Sequence, residues 1–432
     1  MAFYLLIKTH ASLSYAWVFQ TMKFSWQKDI TPEKRVKFFC GALLVGLVVA
    51  LAVCTVNLFL HREYYPYVTF LFDPRYRFND FYETIKIARG EQSGNYFPFF
   101  VWVLEGLKYL PEKVSLYAML AGGTALYFAL ARCAFSFLKQ KWTAPLIFTL
   151  CSFPLILALD RANTELLLFA VCAAFLLCYK AKRFWLAALL LAVGINMKLY
   201  PAVFLVLFMA DKRYKELAGT VLFTGVLLAL GWWGSGFQGF AGFEGFNMRH
   251  QLLPLGLEFS HSFFNLIRVP VFLLTQIQGA PESWEALMIF SRNTMPFYMF
   301  FALGIFSLIC AYIIFINRSF VRAALLLALS EVFLPFVSHD YTLIQLALPV
   351  LLLLKDPREK TDNLTVFLLA LLFMPMNLPS HCFFASYFDL VLNLGSFLRP
   401  LIGVVLIVHL MKDFSFSRLL QGIKKYYGPK GK

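Results

Sequence analysis

F-F-C-G-A-L-L-V-G-L-V-V-A-L-A-V-C-T-V-N-L-F-L, Phe38 to Leu60, is an unbroken uncharged run whose length decides the fold. An α-helix rises about 1.5 Å per residue, so about 20 apolar residues cross a hydrocarbon core of about 30 Å. The run exceeds the apolar region of a cleavable leader, and 37 mixed residues precede it, so it is expected to remain as a membrane anchor. The whole chain has the same character. Of its 432 residues 60% are hydrophobic and 15% charged, where soluble domains carry about 25% charged residues. The expectation is an all-α polytopic integral membrane protein with a transmembrane bundle of about 11–13 helices.

Working outward from the first span, residues 1–37 form a basic, aromatic segment, and residues 38–411 form the membrane module. A basic tail, residues 412–432, closes the chain. Further spans are expected at about 114–131, 142–159, 165–179, 217–233, 295–316, 323–337, 341–354, 364–378 and 397–411. Two long polar or mixed outer loops interrupt them, at about 61–113 and 234–294. Phe184 to Ala210 is different: Lys182-Arg183 precedes it and Lys212-Arg213 follows it, so both ends lie on the same side. Folded at Asn196-Met197-Lys198-Leu199-Tyr200-Pro201, each half reaches only about 20 Å into the core. Pro201 lacks a backbone donor and biases Tyr200 away from helix. The segment therefore reads as a short hairpin with Lys198 at its apex.

The formal net charge of +15 raises the question of nucleic acid. On this layout Lys and Arg far outnumber acids in the inner segments, whereas acids slightly outnumber them in the outer ones. That is the positive-inside asymmetry, which places both termini in the cytoplasm and accounts for the basic excess without a nucleic-acid partner. The eight cysteines lack metal-ligand or redox spacing, and most lie in apolar runs. No phosphate-binding glycine loop or dinucleotide fingerprint is present.

The first outer loop contains D-P-R-Y-R-F-N-D-F-Y-E-T-I-K-I-A-R-G-E-Q-S-G-N-Y-F-P, Asp73 to Pro98, with two aspartates, Asp73 and Asp80, among four cations. Asp160-Arg161-Ala162-Asn163-Thr164-Glu165 follows the third span, Lys198 marks the hairpin apex, and His261, Arg268 and His339-Asp340 lie farther on. Ionisable groups at membrane depth are costly and so point to function. Cations at an apolar boundary suit a phosphate carried on a hydrocarbon tail, and a nearby carboxylate can take a proton from an attacking hydroxyl. Each residue also has a plainer role. Asp80 is placed to cap a surface helix, Arg161 to anchor at the interface, Asn163 and Glu165 to start the next helix, and Asp340 to cap the one after His339.

In this order along the chain, these motifs resemble glycosyltransferase family 87, within the GT-C superfamily of polyprenyl-phosphate-dependent enzymes. The resemblance rests on D-F at Asp80-Phe81 with Ala88, Gly90 and Tyr96-Phe97-Pro98, on Arg161-Ala162-Asn163 with Glu165, and on Lys198-Leu199-Tyr200-Pro201. The His261 to Arg268 stretch and the Tyr341 helix are looser likenesses. Arg161 is followed by Ala162 where the family usually has Gly, and Asn79 precedes Asp80 where many GT-C enzymes have a second acid. The resemblance implies a GT-C-like bundle in the plasma (inner) membrane, with its site on the periplasmic or extracellular side. It implies inverting transfer of a hexose, mannose being the expected one, from a polyprenyl phosphate to a glycan or glycolipid. Asp80 would be the base, with Lys198, Arg161, His339 and Arg268 around the donor phosphate. Asp73, Asn163, Glu165, Tyr200, His261, Asp340 and Tyr96 would support binding. No cofactor and no obligatory metal are expected. A transporter or flippase of a lipid-linked or anionic solute is the alternative, because broken helices with a basic apex also suit solute binding at depth.

Overall fold

The computed structural model describes residues 30–61, 77–91, 96–235, 260–277, 283–317, 319–377 and 393–427. Asp73 and residues 236–259 and 278–282 of the second outer loop lie outside them. The described chain is helical, with no strand; Ser260 and His339 pair only as an isolated antiparallel bridge. Its helices are α1 (Pro32–His61), α2 (Asn79–Ala88), α3 (Pro98–Glu105), α4 (Glu112–Ala134), α5 (Thr143–Leu150) and α6 (Phe153–Arg161). They continue as α7 (Glu165–Lys180), α8 (Phe184–Met197), α9 (Leu205–Ala210), α10 (Tyr214–Ser235), α11 (Asn265–Ile277) and α12 (Ser283–Ala311). The last are α13 (Phe320–Phe333), α14 (Ala347–Lys355), α15 (Asn363–Leu372), α16 (Gly395–Leu410) and α17 (Phe416–Tyr427).

Four described stretches are long and apolar enough to cross a membrane: Pro32–Leu60, Glu112–Ala134, Tyr214–Ser235 and Ile289–Ile316. Their outer faces are the surface of a protein solvated by lipid. Phe59 of α1 and Trp233 of α10 are 85% and 86% exposed, a large apolar area that water would penalise. Shorter apolar helices, α8, α15 and α16 among them, have 14, 10 and 16 residues, fewer than the about 20 of a full crossing. The protein is an all-α polytopic membrane protein.

Two breaks differ in how they were legible. The span expected at 142–159 is two helices, α5 and α6, bent by 54°. Ser152 is extended there (φ −75°, ψ 102°), and Pro154 starts α6 because a ring nitrogen is tolerated in the first turn of a helix and not inside one. The hairpin break falls where the sequence places it. α8 ends at Met197, Lys198 is extended (φ −150°, ψ 144°), and a tight turn of helix begins at Tyr200. The later part of the first outer loop, α3, lies across α10. A Cβ on Gly231 would sit 2.0 Å from the Phe99 backbone nitrogen, so only a bare α-carbon permits this crossing.

The end of α6 and the start of α7 meet the end of α8, where Lys198 pairs with Glu165, at one end of the bundle. That end collects the polar residues singled out above.

Candidate active site

The site is assembled around the corner between α6 and α7. Ala162 ends α6 in the left-handed conformation (φ 47°, ψ 50°). The amides of Ala162 and Asn163 turn back to the carbonyls of Leu159 and Ala158, each at 3.0 Å. A helix ended this way satisfies its last carbonyls and favours Gly at the left-handed position. The turn explains why a glycine is usual there; alanine meets the same geometry at some backbone cost.

α2 brings Asp80 to this corner. The amide of Phe78, itself left-handed (φ 59°), donates to the Asp160 carbonyl at 3.0 Å and ties the first loop to the end of α6. Asp80 does not cap α2, which has no side-chain cap. Its carboxylate instead accepts from Asn163 Nδ2 at 2.6 Å and from Arg161 Nη1 at 3.4 Å. Asn163 Oδ1 accepts the Glu165 amide at 2.9 Å, so this one side chain both starts α7 and holds Asp80. Tyr96, from the end of the first loop, shares hydrogen bonds with Thr164 (3.0 Å) and Thr84 (3.4 Å).

Lys198 reaches the same corner from the hairpin apex. Its ammonium lies 2.5 Å from Glu165 Oε1, which also accepts from the Tyr200 hydroxyl, while Gln345 donates to Glu165 Oε2 at 3.0 Å. Glu165 is wholly buried, and the cation with two further donors compensates for its loss of water. An ammonium has three donors, so the pair with Glu165 leaves Lys198 capacity for another acceptor. The Tyr341 ring centroid is 5.9 Å from the Lys198 ammonium, and its phenol lies within electrostatic reach of Asp80, Arg161 and Glu165. The two halves of the corner therefore form one polar cluster. His339 joins its edge, half-buried, with its ring 5.4 Å from that of Tyr341.

The other candidates form a separate knot. Asp340 receives His261 Nδ1 on one oxygen (3.1 Å) and Arg399 Nη1 on the other (2.5 Å). Ser338 Oγ lies 3.3 Å from His261 Nε2. Ser338, His261 and Asp340 thus stand in the order of a nucleophilic triad, yet all three are buried and Thr342 also binds the Ser338 hydroxyl at 2.9 Å. The knot staples the start of the Ser260 segment to the turn before Tyr341, and Asp340 does not cap the helical turn it opens. Arg268 is fully buried over the Phe264 ring, 5.6 Å from its centroid. Its guanidinium nitrogens make no hydrogen bond to the described residues, and the structure does not tie it to the Asp80 cluster.

Sequence reasoning missed Arg399, Gln345 and the role of Tyr341. Arg399-Pro400 inside an apolar span was a visible signal, since an intramembrane cation needs a partner. Gln345 and Tyr341, uncharged and in an apolar run, carried none. Among the described residues no group of three or more His, Cys, Asp or Glu is placed to share a metal ion.

The carboxyl groups differ in what they can do. Asp160, Glu165 and Asp340 are at most 2% exposed, and the latter two have both oxygens occupied by cations or donors. The Asp80 side chain is 19% exposed beside Arg161, itself 21% exposed, so it can meet a substrate while held in a fixed direction. No curated protein and no solved structure matches the chain. Its sequence does match glycosyltransferase family 87 over residues 95–375, a range that holds Arg161, Asn163, Glu165, Lys198 and His339 and leaves Asp80 outside its start. With the match running over well over half of its length, and through the corner that forms the polar cluster, the chain belongs to glycosyltransferase family 87.

Proposed function

We infer that this glycosyltransferase moves a hexose, mannose being the expected one, from a polyprenyl-phosphate donor to a glycan or glycolipid acceptor, with Asp80 as general base. The observation that carries the reading is the reachable Asp80 carboxylate, aimed by Asn163 and Arg161 in the polar cluster that also holds the cation of Lys198. The acceptor hydroxyl attacks the anomeric carbon and gives its proton to Asp80. The bond from that carbon to the phosphate oxygen breaks as the new glycosidic bond forms on the opposite face, which inverts the centre. The polyprenyl phosphate leaves with the bonding pair. Arg161 and Lys198, with His339 at the edge, stabilise the charge that grows on it. A phosphate already anionic in the donor leaves without a strong acid. The positive-inside pattern supports a site on the periplasmic or extracellular side of the plasma membrane, with both termini cytoplasmic.

Family membership favours this reading over a transporter or flippase, which needs no base at Asp80. The test offers the purified, reconstituted protein a panel of polyprenyl-phosphate sugars with candidate acceptors. One donor should give product, and Asp80→Asn should lower the rate about 100-fold or more while donor binding persists. Near-normal transfer by Asp80→Asn would overturn the assignment of the base, and transfer from nucleotide sugars alone would overturn the donor class.

A further inference from the structure

A second polar concavity lies at the opposite end of the bundle from Asp80. α13 links the two, running from Ser319 beside this concavity to Phe333 below the turn that carries His339. The cleft encloses about 610 Å³ between the end of the α12 segment, the 358–360 loop and α17. That volume is within the ordinary range for a small-ligand site, about 300–1,000 Å³.

Its charge is strongly one-sided. Arg322, Arg358, Lys360, Arg418 and Lys425 line it, against only Glu359 and Asp413. Both acids are already engaged. Glu359 accepts from the Ser319 hydroxyl, and Asp413 faces Arg322 at 3.7 Å and Arg418 at 3.5 Å. Lys360 and Lys425 have no acidic partner among the described residues, and Arg358 meets only Asp356 at 3.7 Å with its side chain 91% exposed.

The wall that α17 forms is built into the fold. Gly422 lets the helix approach so closely that a Cβ there would lie 2.2 Å from the Phe315 carbonyl oxygen. Tyr426 donates to the Met209 carbonyl at 2.7 Å and stacks under the Lys212 ammonium at 4.1 Å. The opposite face of α17 presents Phe416, Leu420 and Tyr427, which are 71%, 45% and 75% exposed. A helix docked by one face and apolar on the other, with basic residues between, lies in the plane of the membrane interface. The cleft beside it is therefore at the depth of lipid head groups.

We propose that this cleft is a binding site for the phosphate of an anionic membrane lipid, gripped by Arg358, Lys360, Arg418 and Lys425. Free phosphate shares the recognising chemistry, but the position of α17 favours the lipid. The site lies across the bundle from the Asp80 cluster, and its occupancy is measurable without any sugar donor.

The experiment uses the full chain in a neutral detergent, with binding read by native mass spectrometry against phosphatidylglycerol, phosphatidylcholine and inorganic phosphate. Phosphatidylglycerol should bind at least about tenfold more tightly than phosphatidylcholine, and the triple variant R358Q/K360Q/K425Q should lose that preference. A control triple variant of basic residues outside the cleft, K34Q/K141Q/K180Q, should keep it. The three substituted cleft side chains are exposed, so the unfolding midpoint measured without lipid should match that of the parent. Equal affinity for the two lipids, or equal loss in both triple variants, would overturn a defined site. Displacement of phosphatidylglycerol by millimolar inorganic phosphate would overturn the lipid in favour of a free anion.

Discussion

Asn163 holds Asp80 and the start of α7 with the two ends of one amide: its Nδ2 is 2.6 Å from the Asp80 carboxylate and its Oδ1 is 2.9 Å from the Glu165 amide nitrogen. The two roles are separable. Asn163→Ser keeps an acceptor for the amide but is too short to reach Asp80. Asn163→Ala loses both. Each variant should lower kcat/KM about 100-fold, the scale of a misplaced catalytic group. Only the alanine variant should also lose about 1 kcal/mol of stability, the scale of a lost helix-start acceptor. Transfer assays beside denaturant unfolding read the two effects apart. Full activity in Asn163→Ser would show that Asp80 is not positioned by this amide.

The pair between Lys198 and Glu165 carries a different kind of prediction, because Glu165 is entirely buried. Removing the cation by Lys198→Met strands a carboxylate in a dry interior, which should cost about 3–5 kcal/mol. The double variant Glu165→Gln with Lys198→Met should recover part of that loss, since a neutral amide still accepts from Tyr200. A double-mutant cycle in denaturant should return a coupling of about 1 kcal/mol or more. Additive losses would mean that Lys198 does not neutralise Glu165 in solution. Donor binding should weaken in both variants, because the ammonium is absent from both.

Ala162 shows how opposing magnitudes settle a substitution. Left-handed backbone costs a non-glycine residue about 1–2 kcal/mol, so Ala162→Gly relieves strain. The methyl group is fully buried against Phe81, Ile85 and Leu116, however, and losing it removes about 0.8 kcal/mol of apolar burial. Glycine also gains freedom in the unfolded chain, worth about 0.4–1 kcal/mol. The sum is near zero, and Ala162→Gly should change stability by less than about 1 kcal/mol. Ala162→Val, β-branched at a positive φ and in a filled space, should lose about 2 kcal/mol or more. A large gain in the glycine variant would show that the buried methyl contributes little.

These residues also show what the sequence could reveal. The apex at Lys198 was legible because Pro201 and two flanking basic clusters constrain the same 27 residues. The grouping of Arg161, Asn163 and Glu165 was legible as a polar interruption opening an apolar helix. The partner of Asn163 was not, since periodicity says nothing about a contact across 83 positions. The helix-cap role open to Asp80 fell for the same reason: a local rule favoured it, and a distant amide supplied a better donor. The break at Ser152 was masked by continuous hydrophobicity, although Pro154 marked it. The knot at Asp340 needed Arg399 from a span read only for its length.

A pH dependence follows from Asp362, in the loop before α15. Its Oδ1 accepts from the Thr365 amide (2.9 Å) and hydroxyl (2.7 Å), and its Oδ2 lies 2.7 Å from His409 Nε2. Partial burial pushes this carboxyl upward, but the hydrogen bonds from Thr365 and His409 outweigh it and hold the group below the ordinary carboxylate range. A group depressed in the folded state binds its proton more readily when unfolded. Its contribution is therefore complete above the unfolded value of about 4 and is lost as the pH falls through the folded value. At pH 7 Asp362→Ala should lose about 1–2 kcal/mol, since the same carboxylate caps α15. The gap between parent and variant should shrink as the pH falls below about 4. Denaturant unfolding of both proteins across that range checks this. A gap that widens on acidification would mean that the proton, rather than the carboxylate, is what the folded state favours at this position.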